Sequence, residues 1–138
     1  MTVGFAVVAA TGVDHDRLGA RIDEVAVDVV DALRQEGSAA LAVAAAFDEF
    51  FAASGHRSPL SGQLRAAAKK GFRDVPAPVR SLLVAEAATG VLMGVQDGDA
   101  VRGRLVLERL DAPESFEGMR ATVECTTGEL VVRDDQGI

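Results

Sequence analysis

The sequence predicts an α+β fold: an N-terminal strand, about four helices, then an antiparallel meander of about four strands. Three observations predict it. Apolar residues recur at helical spacing, with caps and stops, through 14–88. Apolar and polar residues alternate along most of 91–133. The two patterns are segregated along the chain rather than interleaved, which separates α+β from α/β. With 138 residues, the chain suits a single domain over 1–138, its helical part about 14–88 and its sheet part about 91–133 plus a strand at 2–9.

The run 2–9 is apolar, small or β-branched apart from Gly4. Such a run fits a strand covered on both faces and expected to join the sheet. Over 14–36, Leu18, Ile22, Val25, Val29 and Leu33 fall on one helical face. Asp14 or Asp16 supplies an N-cap, Gly37 follows the last turn, and Glu24, Asp28 and Asp31 form an acidic outer stripe. The next helix, from Ser38 to about Ala53, is apolar at every position from Ala39 to Phe47. A helix apolar on nearly all sides belongs inside a fold or an interface.

Ser58-Pro59 opens a third helix, with Leu60, Leu64, Ala68 and Phe72 as a narrow apolar stripe. Arg65, Lys69 and Arg73 form a second stripe one position over. After the stiff segment 74–78, a fourth helix runs from about 78 to 88 and stops at Thr89-Gly90. Residues 91–96 read as a strand, with helix continuation as the alternative. Asp97-Gly98 is a hairpin signal. Val101, Gly103, Leu105 and Leu107 alternate with more polar neighbours. A loop is expected over 111–118. Met119, Ala121, Val123 and Cys125 then point inward, as do Leu130 and Val132 of a last strand at 129–133. The tail 134–138 is expected to fray.

Composition excludes several classes. At 49% hydrophobic, the chain is too apolar for a disordered region. One cysteine, Cys125, cannot staple a secreted domain. The apolar start has no basic residue before Arg17 and so is not expected to act as a signal. No stretch reaches the roughly 20 apolar residues of a membrane span. A cytoplasmic protein without membrane contact is expected. A net charge of -7 argues against nucleic acid as a partner.

The charge is unevenly placed. Residues 1–55 carry 3 basic and 9 acidic side chains, and 81–138 carry 5 and 11. Residues 56–80 carry 6 and 1, a basic island of Arg57, Arg65, Lys69, Lys70, Arg73 and Arg80. These six are the candidate contacts to an acidic partner or an anion. The competing expectation is that they pair with the acidic stripe of the first helix or form a solvated face.

Chemistry-bearing motifs are few. His15 lies between two aspartates at a helix start, where a cap explains the pattern better than a metal or acid–base site. His56 reads as a loop residue, and Cys125 as a small buried hydrophobe without CxxC spacing. Glu86 interrupts an apolar helix, which suggests a buried ion pair or a solvent-facing position. Asp97-Gly98-Asp99 lacks the remaining ligands of a calcium loop. Phosphate-binding and nucleophile-elbow signatures are absent. No cofactor or metal is expected.

The functional expectation is therefore a small, non-enzymatic interaction or regulatory protein, a subunit or adaptor of a complex or a homodimer. The alternative is a small-molecule-binding or catalytic domain with a site between the sheet and helices three and four, near Arg65, Lys69, Glu86 and His56.

Overall fold

The computed structural model describes residues 5–53, 55–118 and 121–137. Among them, four helices precede four strands: α1 (His15–Arg34), α2 (Ala39–Ala52), α3 (Leu60–Lys70), α4 (Ala77–Thr89), β1 (Val106–Arg109), β2 (Glu114–Glu117), β3 (Thr122–Cys125) and β4 (Leu130–Arg133). This is the α+β class expected. The chain divides into two compact units, Thr11–Val95, and Met1–Ala10 with Gln96–Ile138.

In the helical unit, Asp14 caps α1 as its carboxylate accepts from the N–H groups of Asp16 at 3.1 Å and Arg17 at 3.0 Å. Helix α1 packs on α3 and α4, and α2 packs on both as well. Ile22, Val29, Leu33, Ala44, Leu60, Leu64, Ala67, Val84 and Ala87 form the core. Burial of these side chains drives the packing. Val25, expected to point inward, is 37% exposed, while Val30 is buried at 8%. Having two neighbours turns the buried face of α1 beyond the stripe that spacing alone marks. Polar links fix the arrangement: the buried Ser61 hydroxyl donates to Asp48 Oδ2 at 2.6 Å, joining α3 to α2. The Arg34 Nε donates to the Ala68 carbonyl at 2.8 Å, joining α1 to α3.

The strands form two separate antiparallel ribbons, β1 with β4 and β2 with β3. The inner hairpin is thus nested within the outer pair, which replaces the sequential meander expected. Leu110, Cys125 and Val131 are buried together, with Phe116 packed against them. Arg133 ties the ribbons, with Nε 2.9 Å from Glu108 Oε1 and Nη2 2.8 Å from Glu114 Oε1. The Glu114 hydrogen bond is the main reason that its pKa lies above the ordinary arginine value.

Several expected strands are not formed. Phe5 to Ala9 carry no strand, and Val8 is 93% exposed; residues 2–4 of that expected strand lie outside the described residues. A β-prone run becomes a strand only against a partner, and among the described residues no strand pairs with it. Residues 91–95 are neither strand nor helix. Gly90, at φ 71°, ends α4, and the Met93 N–H is taken by the Glu86 carboxylate at 2.8 Å. The Asp97 region does turn, with the Ala100 N–H on the Asp97 carbonyl at 3.0 Å, but no strand pair flanks it. Conversely, β2 lies within the expected loop at 111–118. Alternation also misplaces three side chains: Ala121 is exposed, Val123 is 41% and Val132 38% exposed, while Val131 is buried. A two-stranded ribbon has little to cover its second face. The residues after β4 are not frayed over 134–137. Asp134 Oδ2 accepts from the Arg102 N–H at 2.8 Å, and its backbone pairs with Gly137. The N–H donors of Arg102 and Gln136 hold the Asp134 carboxyl below its ordinary value.

Candidate functional site

Helix α3 carries the basic island because its sequence divides cleanly by face. Ser58 Oγ accepts from the Leu60 N–H at 3.2 Å at the helix start. Leu60, Ser61, Leu64 and Ala67 are turned into the core, while Arg65, Lys69 and Lys70 are exposed. Gly71, at φ 77°, ends the helix with its N–H on the Ala67 carbonyl at 2.8 Å. The positive φ is one that glycine adopts without strain. Phe72 and Arg73 follow.

Six cations were candidates, and the structure separates them. Arg80 is used within the helical unit: its Nη2 lies 3.2 Å from Asp23 Oδ1 and 3.5 Å from the Gly19 carbonyl. Arg57, Arg65, Lys69, Lys70 and Arg73 are exposed, and none forms an ion pair among the described residues. The acidic stripe of α1 is not their partner. Glu24 pairs with Arg21 at 2.5 Å and Asp31 with Arg34 at 3.2 Å, both within α1.

A cleft of about 260 Å³ runs beside α3. Pro59, Gly62, Gln63 and Ala66 form one wall, Leu64 and Ala67 the floor, and Gly71, Phe72, Arg73 and Leu83 the remainder. Its polar side chains are Gln63 and Arg73. Ligand pockets for small molecules occupy roughly 300–1,000 Å³ with several convergent polar groups. Of the groups expected for a small-molecule site, Arg65, Lys69, Glu86 and His56 do not line this cleft.

His15 is exposed at the first position of α1, where Asp14 is occupied as the cap. His56 is exposed in the α2–α3 connection, its N–H on the Phe51 carbonyl at 3.0 Å. Among the described residues, no group of three or more His, Cys, Asp or Glu side chains is placed to hold a metal. Cys125 is buried, and burial pushes its thiol pKa up, with Glu129, Glu114 and Glu124 adding to the shift. A thiol so placed is a poor nucleophile.

Glu86 is 2% exposed, and it has no cationic partner among the described residues. In place of the expected ion pair or solvent-facing position, the buried carboxylate accepts from the Met93 N–H. Burial raises its carboxyl pKa, partly offset by that hydrogen bond. A raised carboxyl pKa means that the folded state holds the proton more tightly than the unfolded chain. This favours the fold below the unfolded pKa, and the advantage is lost as pH rises through the folded one. Glu86→Gln keeps an acceptor for Met93 and cannot ionise. Thermal melts across pH should show the variant gaining on wild type toward neutrality. A pH-independent difference, or one growing toward acid, would count against this account.

The sequence alone does not reveal Leu83 as a neighbour of Gly62 and Gln63, because the cleft is assembled from three segments. No helix among the described residues is long and apolar enough to cross a membrane. Compared with family models, curated proteins and solved structures, the chain shows no match.

Proposed function

We propose that this protein is a non-enzymatic interaction protein that works as a self-associating subunit or adaptor, with cytoplasmic placement read from its single cysteine. The observation that carries the reading is the outer face of α2. Of its 14 residues only Ala44 is buried. Ala39, Ala42, Ala45 and Ala46 are exposed, and Val43 is 42% exposed. Asp48 is turned to Ser61, so Glu49 is the charge left on the exposed side. An apolar helix face that the helical unit leaves uncovered gains free energy when a protein surface covers it. The unpaired cations of α3 add a second feature suited to protein contact, since rim charges steer association and select partners.

Sedimentation across a concentration series tests the reading. Wild type is expected to associate as concentration rises. Ala42→Glu with Ala46→Glu, one turn apart on the exposed face, should yield a monomer that still unfolds cooperatively and whose melting temperature, unlike that of wild type, does not rise with concentration. A wild-type chain that stays monomeric throughout, or a variant that associates equally well, defeats the proposal.

A further inference from the structure

We propose that the cleft beside α3 is a docking site for an acidic segment of a partner protein that seats one bulky apolar side chain in it. The inference rests on the interaction reading above but uses a different surface from α2.

Arg73 lines the cleft, and Lys70 falls on the helical stripe that borders it. Lys70 lies four residues after Ala66 and seven after Gln63, so it continues the stripe that forms one cleft wall. Arg65 and Lys69 lie three residues beyond Gly62 and Ala66, and so flank that wall. Arg73 is itself part of the lining. The result is an apolar depression lined by Leu64, Ala67, Phe72 and Leu83, with Arg73 in its lining and Lys70 on the adjoining stripe.

Charge complementarity selects the occupant. The lining offers two polar side chains, too few to orient a polar metabolite, while about 260 Å³ suits a leucine or phenylalanine side chain. Carboxylates flanking that side chain would meet cations that no acidic side chain of the described residues neutralises. A phosphate backbone gains nothing from an apolar floor, and the acidity of the rest of the chain opposes a polyanion.

Gly62 provides the sharpest test. It is exposed on the cleft wall, and a Cβ built there meets nothing within 4 Å. Gly62→Leu therefore leaves the helix intact while filling the mouth of the cleft. Lys70→Glu with Arg73→Glu reverses charge at exposed positions. The probe is a fluorescein-labelled peptide of Asp and Glu with Leu and Phe, followed by anisotropy with the full chain. Two controls are the same peptide with Ser for Leu and Phe, and a labelled single-stranded oligonucleotide.

The expected result is saturable binding of the acidic–apolar peptide, weakened by salt. Gly62→Leu, the charge reversal, and the Ser-substituted peptide should each weaken it about tenfold or more. Thermal melts verify that both variants fold, and the charge reversal carries the test if Gly62→Leu does not. Undiminished binding by the folded variants, equal binding of the Ser peptide, or tighter binding of the oligonucleotide overturns the proposal. Sedimentation of the same wild-type chain keeps the two readings apart. A chain that self-associates yet binds no acidic–apolar peptide refutes the cleft and leaves the α2 reading standing.

Discussion

Leu60→Ala should destabilise the protein by about 2–5 kcal/mol, the range for a buried leucine truncated in a core. Leu60 is 0% exposed and, with Leu64, is among the largest fully buried side chains. It opens α3 and lies in the core of the helical unit. Truncation loses the transfer free energy of the side chain and leaves a void that packed neighbours fill only in part. For a chain with a stability on the order of 5–15 kcal/mol, that is a large fraction. Denaturant unfolding at fixed pH measures it. Val25→Ala on the exposed side of α1 is the control and should cost far less. If Leu60→Ala and Val25→Ala cost the same, the core assignment is wrong.

Gly90→Ala should also destabilise the protein strongly for the small bulk it adds. Two effects act together. Gly90 ends α4 in the left-handed region, where an L side chain costs about 1–2 kcal/mol. Its Cβ would also lie 2.9 Å from the Cβ of Val43 on α2 and 3.4 Å from the Ala40 carbonyl. A Cβ cannot rotate away, so α2 or the end of α4 must shift. The total is expected to exceed the backbone cost alone, and a double-mutant cycle separates the parts. Val43→Ala should recover some of the loss in the Gly90→Ala background. Simple additivity of the two substitutions would show that the collision is relieved elsewhere.

Gly90 also shows how far local sequence reaches. Thr89-Gly90 marks the helix end from residue type alone, because a left-handed cap needs glycine. That Gly90 must be glycine twice over, because α2 passes against it, is visible only in the fold. The helices were legible for the same local reason. Asp14, Ser58 and Gly90 signal helix ends through bonds or dihedrals within a few residues. Leu18, Ile22, Val29 and Leu33 repeat at helical spacing, and all four reach or border the core. Val25 and Val30 were not legible, since which flank of the stripe is covered depends on where α3 and α4 lie.

The strands were less legible. Pairing is non-local, and neither Glu114–Glu117, with Phe116 as its sole large apolar residue, nor the nesting of one hairpin within another leaves a local trace. Phe5 to Ala9 erred in the opposite direction. Strong β propensity marks a segment that fits a sheet, and among the described residues no strand pairs with it. Glu86 stood out as an anomaly in its helix, but its partner, a backbone N–H seven residues on, follows from the loop that Gly90 directs.

By itself, the sequence determined the α+β class, the four helices with their ends, and the basic island at 56–80. Each rests on residue type and short spacing. Only the tertiary structure decided which cations remain unpaired, that Arg80 is consumed by Asp23 and Gly19, and that α3, Phe72 and Leu83 enclose a cleft. It also left the outer face of α2 uncovered. The physical reason is the same throughout. Propensity and capping act over one helical turn, whereas burial and charge pairing depend on which distant segment comes to lie alongside.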